Sequence, residues 1–230
     1  MAAPSVALIC VVSGPDTYRR YARKFFVTAA DHFKPTRNIQ FRILDGKEGP
    51  WPTGTMYRHH AIMEHAERGE LDFDFLFMSD ADMAMVGTVG AEILGDGVTA
   101  TLHPGYVGMP NDLFPYERRP ESSAMVLPGE GTQYYCGGFI GGQRDAFLRL
   151  SERVANGVDK DVAAGTWPCW HDESLANRYL IDNPPAVVLD PRYCCPADSS
   201  WYRSALWAED YSADARIIAL DKPASEREGR

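Results

Sequence analysis

The sequence predicts an α/β domain with a largely parallel β-sheet. Three observations lead there. Short apolar runs at residues 6–12 and 73–78 read as strands covered on both faces. Helical periodicity separates them. Two carboxylates, Asp80 and Asp82, follow the second run directly, and ligands in open α/β sheets gather beyond the carboxyl ends of strands.

The elements follow in order. Val6 to Val12 is apolar without a break and stops at Ser13-Gly14-Pro15-Asp16, which predicts a buried strand and then a turn. The run could imitate the core of a signal peptide, but no basic segment precedes it and the turn follows at once. Tyr21, Phe25, Ala29 and Phe33 recur every four residues, which predicts an amphipathic helix from Thr17 to Phe33, capped by Asp16 or Thr17. Ile39, Phe41 and Ile43 alternate with polar neighbours as in a strand. Pro50, Pro52 and Gly54 break the chain, and Met56 to Arg68 reads as a helix. Residues 105–131 are rich in Pro, Gly and polar side chains without a clean period, and so much irregular chain in a compact domain is usually functional. Apolar segments return at Phe139-Ile140 and Val187-Val188-Leu189, and residues 205–220 are ambiguous. No repeat or low-complexity linker divides the chain.

Composition narrows the class. Of 230 residues, 45% are hydrophobic and 24% charged, as in ordinary soluble domains. The formal net charge of −9 argues against a general nucleic-acid-binding field and suits an enzyme that recruits divalent cations. Cys10, Cys136, Cys169, Cys194 and Cys195 show no zinc spacing and read as reduced thiols. No apolar run reaches the ~20 residues that a membrane span requires, and no Asn-x-Ser/Thr acceptor site occurs. The expectation is a cytoplasmic location.

Three constellations carry chemistry. In extended chain, Asp80 and Asp82 point to one side, where two carboxylates repel unless a cation lies between them. Hard oxygen ligands suit Mg²⁺ or Mn²⁺, which commonly share their shell with substrate phosphates. Trp170-His171-Asp172-Glu173-Ser174 precedes an apparent helix with Leu175, Tyr179 and Leu180. An acidic helix start is favoured by the dipole, yet the same residues offer a sugar-stacking face and two carboxylates. Cys136-Gly137-Gly138-Phe139-Ile140-Gly141-Gly142 permits close approach of backbone to a ligand or a neighbouring strand. Haloacid-dehalogenase-like phosphatases also place Asp-x-Asp after a buried strand. They want Thr or Val two residues beyond the second Asp, where this chain has Ala84, and they place the motif near the N-terminus.

Taken together the residues resemble glycosyltransferase family 6, which includes the ABO transferases, the α-1,3-galactosyltransferase and small bacterial relatives. The matching segments run in family order: Tyr18 with its helix ending Asp31-His32-Phe33; Asp80-Ala81-Asp82-Met83; His103-Pro104-Gly105-Tyr106; Tyr116 to Ser122; Tyr134 to Gly142; and Trp170 to Ser174. The resemblance covers about residues 5–223. It implies a GT-A fold in one catalytic domain over residues 1–223, with a Rossmann-like donor-nucleotide half (about 1–102), an acceptor and catalytic half (about 103–223), and a tail at 224–230.

It further implies transfer of N-acetylgalactosamine or galactose from a UDP-sugar to a galactose-ended glycan, in α-1,3 linkage with retention. Tyr18 matches the residue that stacks on uracil, and Arg58 an arginine that contacts the donor. Asp80 and Asp82 match the Mn²⁺ (or Mg²⁺) motif, with Asp80 also on the donor side. His103, Trp170 and Glu173 match acceptor or catalytic positions, and Asp172 a donor-sugar contact. Cys136, Gly137 and Gly138 match the segment facing carbon 2 of the donor sugar, where a glycine at Gly138 implies N-acetylgalactosamine. Lys222 matches a basic tail residue on the diphosphate. There are departures. Animal members carry an N-terminal membrane anchor that is not seen here, many bacterial members have Asn-x-Asn in place of Asp-x-Asp, and an acceptor-side threonine falls at Pro115. The alternatives are a metal-dependent phosphatase and a non-catalytic carbohydrate-binding protein on a transferase scaffold.

Overall fold

The apolar residues of the first strand alternate between two cores. The computed structural model describes residues 3–14, 16–198 and 210–221. Strand β1 (Ser5–Val12) sends Ala7 and Ile9 into one core, and Val6, Leu8, Cys10 and Val12 into the other. A strand buried on both faces needs no polar alternation, which is why its sequence is a continuous apolar run. Helix α1 (Asp16–His32) covers one face through Ala22, Phe25 and Ala29. Helices α3 (Arg58–Glu67), α4 (Arg144–Ala163) and α5 (His171–Asp182) cover the other, through residues such as Ile62, Phe147, Leu150 and Leu180. The result is a three-layer α/β/α arrangement.

The main sheet has strand order β2-β1-β3-β6-β5-β7, built from β1, β2 (Asn38–Asp45), β3 (Phe75–Ser79), β5 (Val98–Leu102), β6 (Tyr135–Gln143) and β7 (Val187–Leu189). Strands β2, β1 and β3 are mutually parallel, and β5 is parallel to β7. Strand β6 runs antiparallel to both of its neighbours, so the sheet is mixed at its centre. A smaller sheet joins β4 (Met83–Met85), β9 (Ile217–Ala219) and β8 (Cys195–Pro196) in the order β4-β9-β8.

The helix expected from Met56 to Arg68 is α3, and a separate single turn, α2 (Thr53–Met56), precedes it across Tyr57. Helix α4 was not anticipated, although Phe147, Leu150, Val154 and Val158 keep its inner face apolar. Residues 103–134 carry only a short 3₁₀ turn, Asn111–Leu113, in agreement with their irregular composition. Among the described residues no helix is long and apolar enough to cross a membrane, and no disulfide joins any of the five cysteines.

One irregularity shapes the site. Ala100 on β5 pairs with Ile140, but the next residue, Thr101, pairs with Cys136. Residues 137–139 therefore bulge away from β5, a device that re-aims strands beside functional sites. Thr101 Oγ1 closes the gap by donating to the Phe139 carbonyl at 2.8 Å. On the other side, the Asp80 N–H donates to the Gly138 carbonyl at 3.0 Å, which ties the bulge to the end of β3.

Candidate active site

A cleft of about 340 Å³ opens where β1 and β3 end. Parallel register brings these two carboxyl ends to one edge, as the rule for open α/β sheets requires. Tyr18 on α1, Arg58 on α3, Asp80 and Asp82 after β3, Gly137 and Gly138 of the bulge, and Trp170, Asp172 and Glu173 at the start of α5 all line it. Residues as distant in the chain as Val11 and Glu173 thus line one cleft.

Arg58 is the hub. Its Nη1 donates to Asp80 and its Nε to Asp172. The Arg58 side chain is 11% exposed and that of Asp172 only 1%. Burial works against the guanidinium charge, but Asp172 and Asp80 outweigh it and hold Arg58 above the ordinary arginine range. Asp172 Oδ1 is buried without a hydrogen-bond partner among the described residues. A β-carbon at Gly137 would strike Arg58 Nη2, so the glycine is what lets the guanidinium lie against the bulge.

Glu173 is held by two donors. Its Oε2 accepts the Gly137 N–H at 2.8 Å, and its Oε1 accepts the Tyr134 hydroxyl at 2.9 Å. Desolvation pushes the Glu173 carboxyl up to about 7, against those two bonds, which pull it down. Asn177, one turn along α5, pins the helix to β6: Nδ2 donates to the Tyr135 carbonyl at 2.8 Å, and Oδ1 accepts the Tyr135 N–H at 2.9 Å. His171 adopts φ 54°, left-handed backbone that non-glycine residues rarely hold outside sites that need it, and its ring meets Trp51 edge-on at 4.8 Å.

The segment before α5 is braced from Tyr116 to Ser122. The Glu117 carboxylate accepts the Cys169 N–H at 2.8 Å and the Arg119 guanidinium at 2.7 Å, while Arg119 also donates to the Trp167 carbonyl. Although burial raises it, the Arg119 and backbone donors hold Glu117 down to about 2. That stretch therefore positions Trp170 rather than entering the cleft.

Two expected site residues stand behind the cleft wall. Cys136 is buried in the core on the α1 face, because the bulge turns its side chain inward against Cys194. His103 packs at a tilt on Tyr106 at 4.5 Å and meets Tyr134, the residue bonded to Glu173, edge-on at 5.9 Å. Burial pushes its imidazole down to about 4. Lys222 lies outside the described residues. Just before it, the Leu220 N–H donates to the Asp82 carbonyl at 2.8 Å, beside the carboxylate pair. Sequence reasoning missed Trp51, which lines the cleft, and the Tyr134 bond to Glu173. Trp51 between two prolines was a local signal, whereas the Tyr134 bond crosses 39 positions and had none.

Residues fit to hold a divalent ion are present in part. Asp80 and Asp82 offer hard oxygens at the cleft, but among the described residues no three His, Cys, Asp or Glu side chains converge to form a cage. This donor set suits Mg²⁺ or Mn²⁺ completed by substrate oxygens.

The family model described as Glycosyltransferase family 6 matches residues 32–207. Globoside alpha-1,3-N-acetylgalactosaminyltransferase 1 of Homo sapiens is 38% identical over 62% of this chain and 41% of its own length. Histo-blood group ABO system transferase 1 of Rattus norvegicus is 38% identical over 75% of this chain and 48% of its own. Alpha-1,3-galactosyltransferase 2 of Homo sapiens is 35% identical over 66% and 45%. The chain spans about half the length of the curated relatives it matches.

Proposed function

The chain belongs to glycosyltransferase family 6, and from that premise we propose that it moves N-acetylgalactosamine or galactose from a UDP-sugar to a galactose-ended glycan, forming an α-1,3 bond with retention. One observation carries this reading: Arg58, Asp80, Asp82, Asp172 and Glu173 converge on one cleft with Tyr18 and Trp170 at its walls. The names of two relatives, an alpha-1,3-N-acetylgalactosaminyltransferase and an alpha-1,3-galactosyltransferase, support these sugars and this linkage.

In this reading Tyr18 takes the uracil face and Arg58 the diphosphate. A divalent ion on Asp80 and Asp82 would neutralise charge on the departing UDP. Asp172, anchored by Arg58, receives hydroxyls of the transferred sugar. Trp170, 50% exposed, offers a stacking face to the acceptor.

Glu173 is a better stabiliser than nucleophile. Both of its oxygens already accept a hydrogen bond, and each bond draws charge from the oxygen that would have to attack. A carboxylate has about four lone-pair sites, so Glu173 can still accept the acceptor hydroxyl and face the positive charge on the sugar. The bond from sugar carbon 1 to the phosphate oxygen breaks, the acceptor oxygen bonds to the same face, and its proton passes to the departing phosphate oxygen.

A donor screen tests the proposal. UDP-N-acetylgalactosamine and UDP-galactose are each incubated with a galactose-ended acceptor, beside a p-nitrophenyl phosphate control. A glycosylated product with an inert control supports transfer. Hydrolysis of the control without product supports a phosphatase, and binding without turnover supports a carbohydrate-binding protein.

A further inference from the structure

We infer that His59 is a positioning residue that fixes the Asp172 carboxylate from the side facing away from the cleft. Next to Arg58 on α3, His59 is 2% exposed and is not among the residues that line the cleft. Its Nδ1 lies 3.0 Å from Ser151 Oγ on α4, a side chain with no exposure at all. Its Nε2 lies 3.7 Å from Asp172 Oδ2. Three elements, α3, α4 and α5, therefore meet through one imidazole.

The geometry selects a tautomer. A serine hydroxyl can donate or accept, so Ser151 satisfies Nδ1 in either state. Nε2 has no such freedom, because a lone pair aimed at a buried carboxylate would be repelled in a medium of low dielectric. The proton therefore belongs on Nε2, with the Ser151 hydroxyl donating to Nδ1. Burial, followed by Arg58 and His60, holds the imidazole well below its ordinary range, so the ring is neutral and carries a single N–H.

Asp172 needs this support. It is 1% exposed, and Oδ2, the oxygen that His59 faces, is also the one that Arg58 Nε binds. Its cation, Arg58, is shared with Asp80 and faces the cleft. A ligand phosphate in the cleft competes for that guanidinium, whereas the His59–Ser151 contact lies outside the ligand's reach. Resting on the transferase reading, the inference places His59 behind sugar turnover and not behind nucleotide affinity.

Two measurements test it. Long-range ¹H–¹⁵N spectra of the unliganded protein report the His59 tautomer independently of any activity. The expected state is Nε2–H, and a neutral ring protonated on Nδ1 overturns the inference. Kinetics then compare His59→Leu with His59→Gln, whose amide restores a donor near the Nε2 position. His59→Leu is expected to lose about tenfold or more in turnover, the scale of a misplaced contact, while its affinity for UDP stays within twofold and His59→Gln recovers much of the loss. Turnover in His59→Leu equal to that of the parent overturns the inference, as does an equal loss of UDP affinity. A parent protein without transfer activity sinks the transferase reading instead, and the tautomer then decides alone whether His59 supports Asp172.

Discussion

Glu173 accepts the main-chain N–H of Gly137 at 2.8 Å. This single bond couples the start of α5 to the β6 bulge, so the acid and the glycine wall of the cleft are positioned together. Tyr134 completes the arrangement from the strand side. Replacing Glu173 with Gln keeps the shape and removes the charge. Turnover is expected to fall by at least ~10²-fold, the scale of removing a principal electrostatic stabiliser. A turnover within twofold of the parent assigns Glu173 no chemical role.

The pH profile follows from the same contacts. Because desolvation raises the Glu173 carboxyl to about 7, the ionised form is lost as pH falls through that value. The kcat/KM profile, which reports groups of the free enzyme, is therefore expected to show an acid limb near 7. The Tyr134 hydroxyl pulls this value down, so Tyr134→Phe is expected to move the limb to higher pH. An unmoved limb shows that another group governs it.

Arg58 is expected to matter for stability as well as activity. Its removal leaves Asp172 as a buried carboxylate without its cation, and breaking such a pair typically costs about 3–5 kcal/mol. Arg58→Ala should lower the denaturant midpoint accordingly, and Arg58→Ala with Asp172→Asn should recover part of the loss. A double variant no more stable than Arg58→Ala contradicts the coupling.

The proposed metal dependence would rest on Asp80 and Asp82. Excess EDTA is expected to abolish transfer, with Mn²⁺ restoring it, and Asp82→Asn to lose at least ~10²-fold in turnover. Undiminished activity in EDTA rules out an ion at this pair.

Under the proposed function Gly138 would set donor choice, and the structure adds a complication. A β-carbon built there would lie 2.8 Å from Cys194 Sγ and 3.8 Å from Asp80 Oδ2. Gly138→Ala must therefore displace Cys194 or the bulge. Combined with Cys194→Ala, which makes room, the added methyl is expected to shift preference from UDP-N-acetylgalactosamine toward UDP-galactose by roughly 10- to 200-fold, the usual worth of one methyl. Equal donor ratios in the parent and the double variant remove Gly138 as a specificity residue.

What was legible in the sequence was local. The apolar run of β1, the fourfold spacing of α1 and the Asp80–Asp82 pair after β3 each announce themselves within a dozen residues. Strand β5 hides because Thr99 and Thr101 are fully buried, their hydroxyls bonded to the carbonyls of Ile93 and Phe139. Strand β6 hides because its glycines have poor strand propensity and are chosen for close approach: a β-carbon at Gly138 or Gly141 meets neighbouring atoms at once. The outward face of Gly137 and the inward turn of Cys136 depend on the register shift against β5, a long-range property that spacing alone does not reveal.

The most direct measurement is the anomeric configuration and linkage of the product, read by NMR after incubation of the purified chain with UDP-N-acetylgalactosamine, Mn²⁺ and a galactose-ended acceptor. The expected product is an α-1,3-linked N-acetylgalactosamine that forms with the parent and is lost with Glu173→Gln. A β-linked product, or release of the free sugar with the acceptor unchanged, would contradict this expectation.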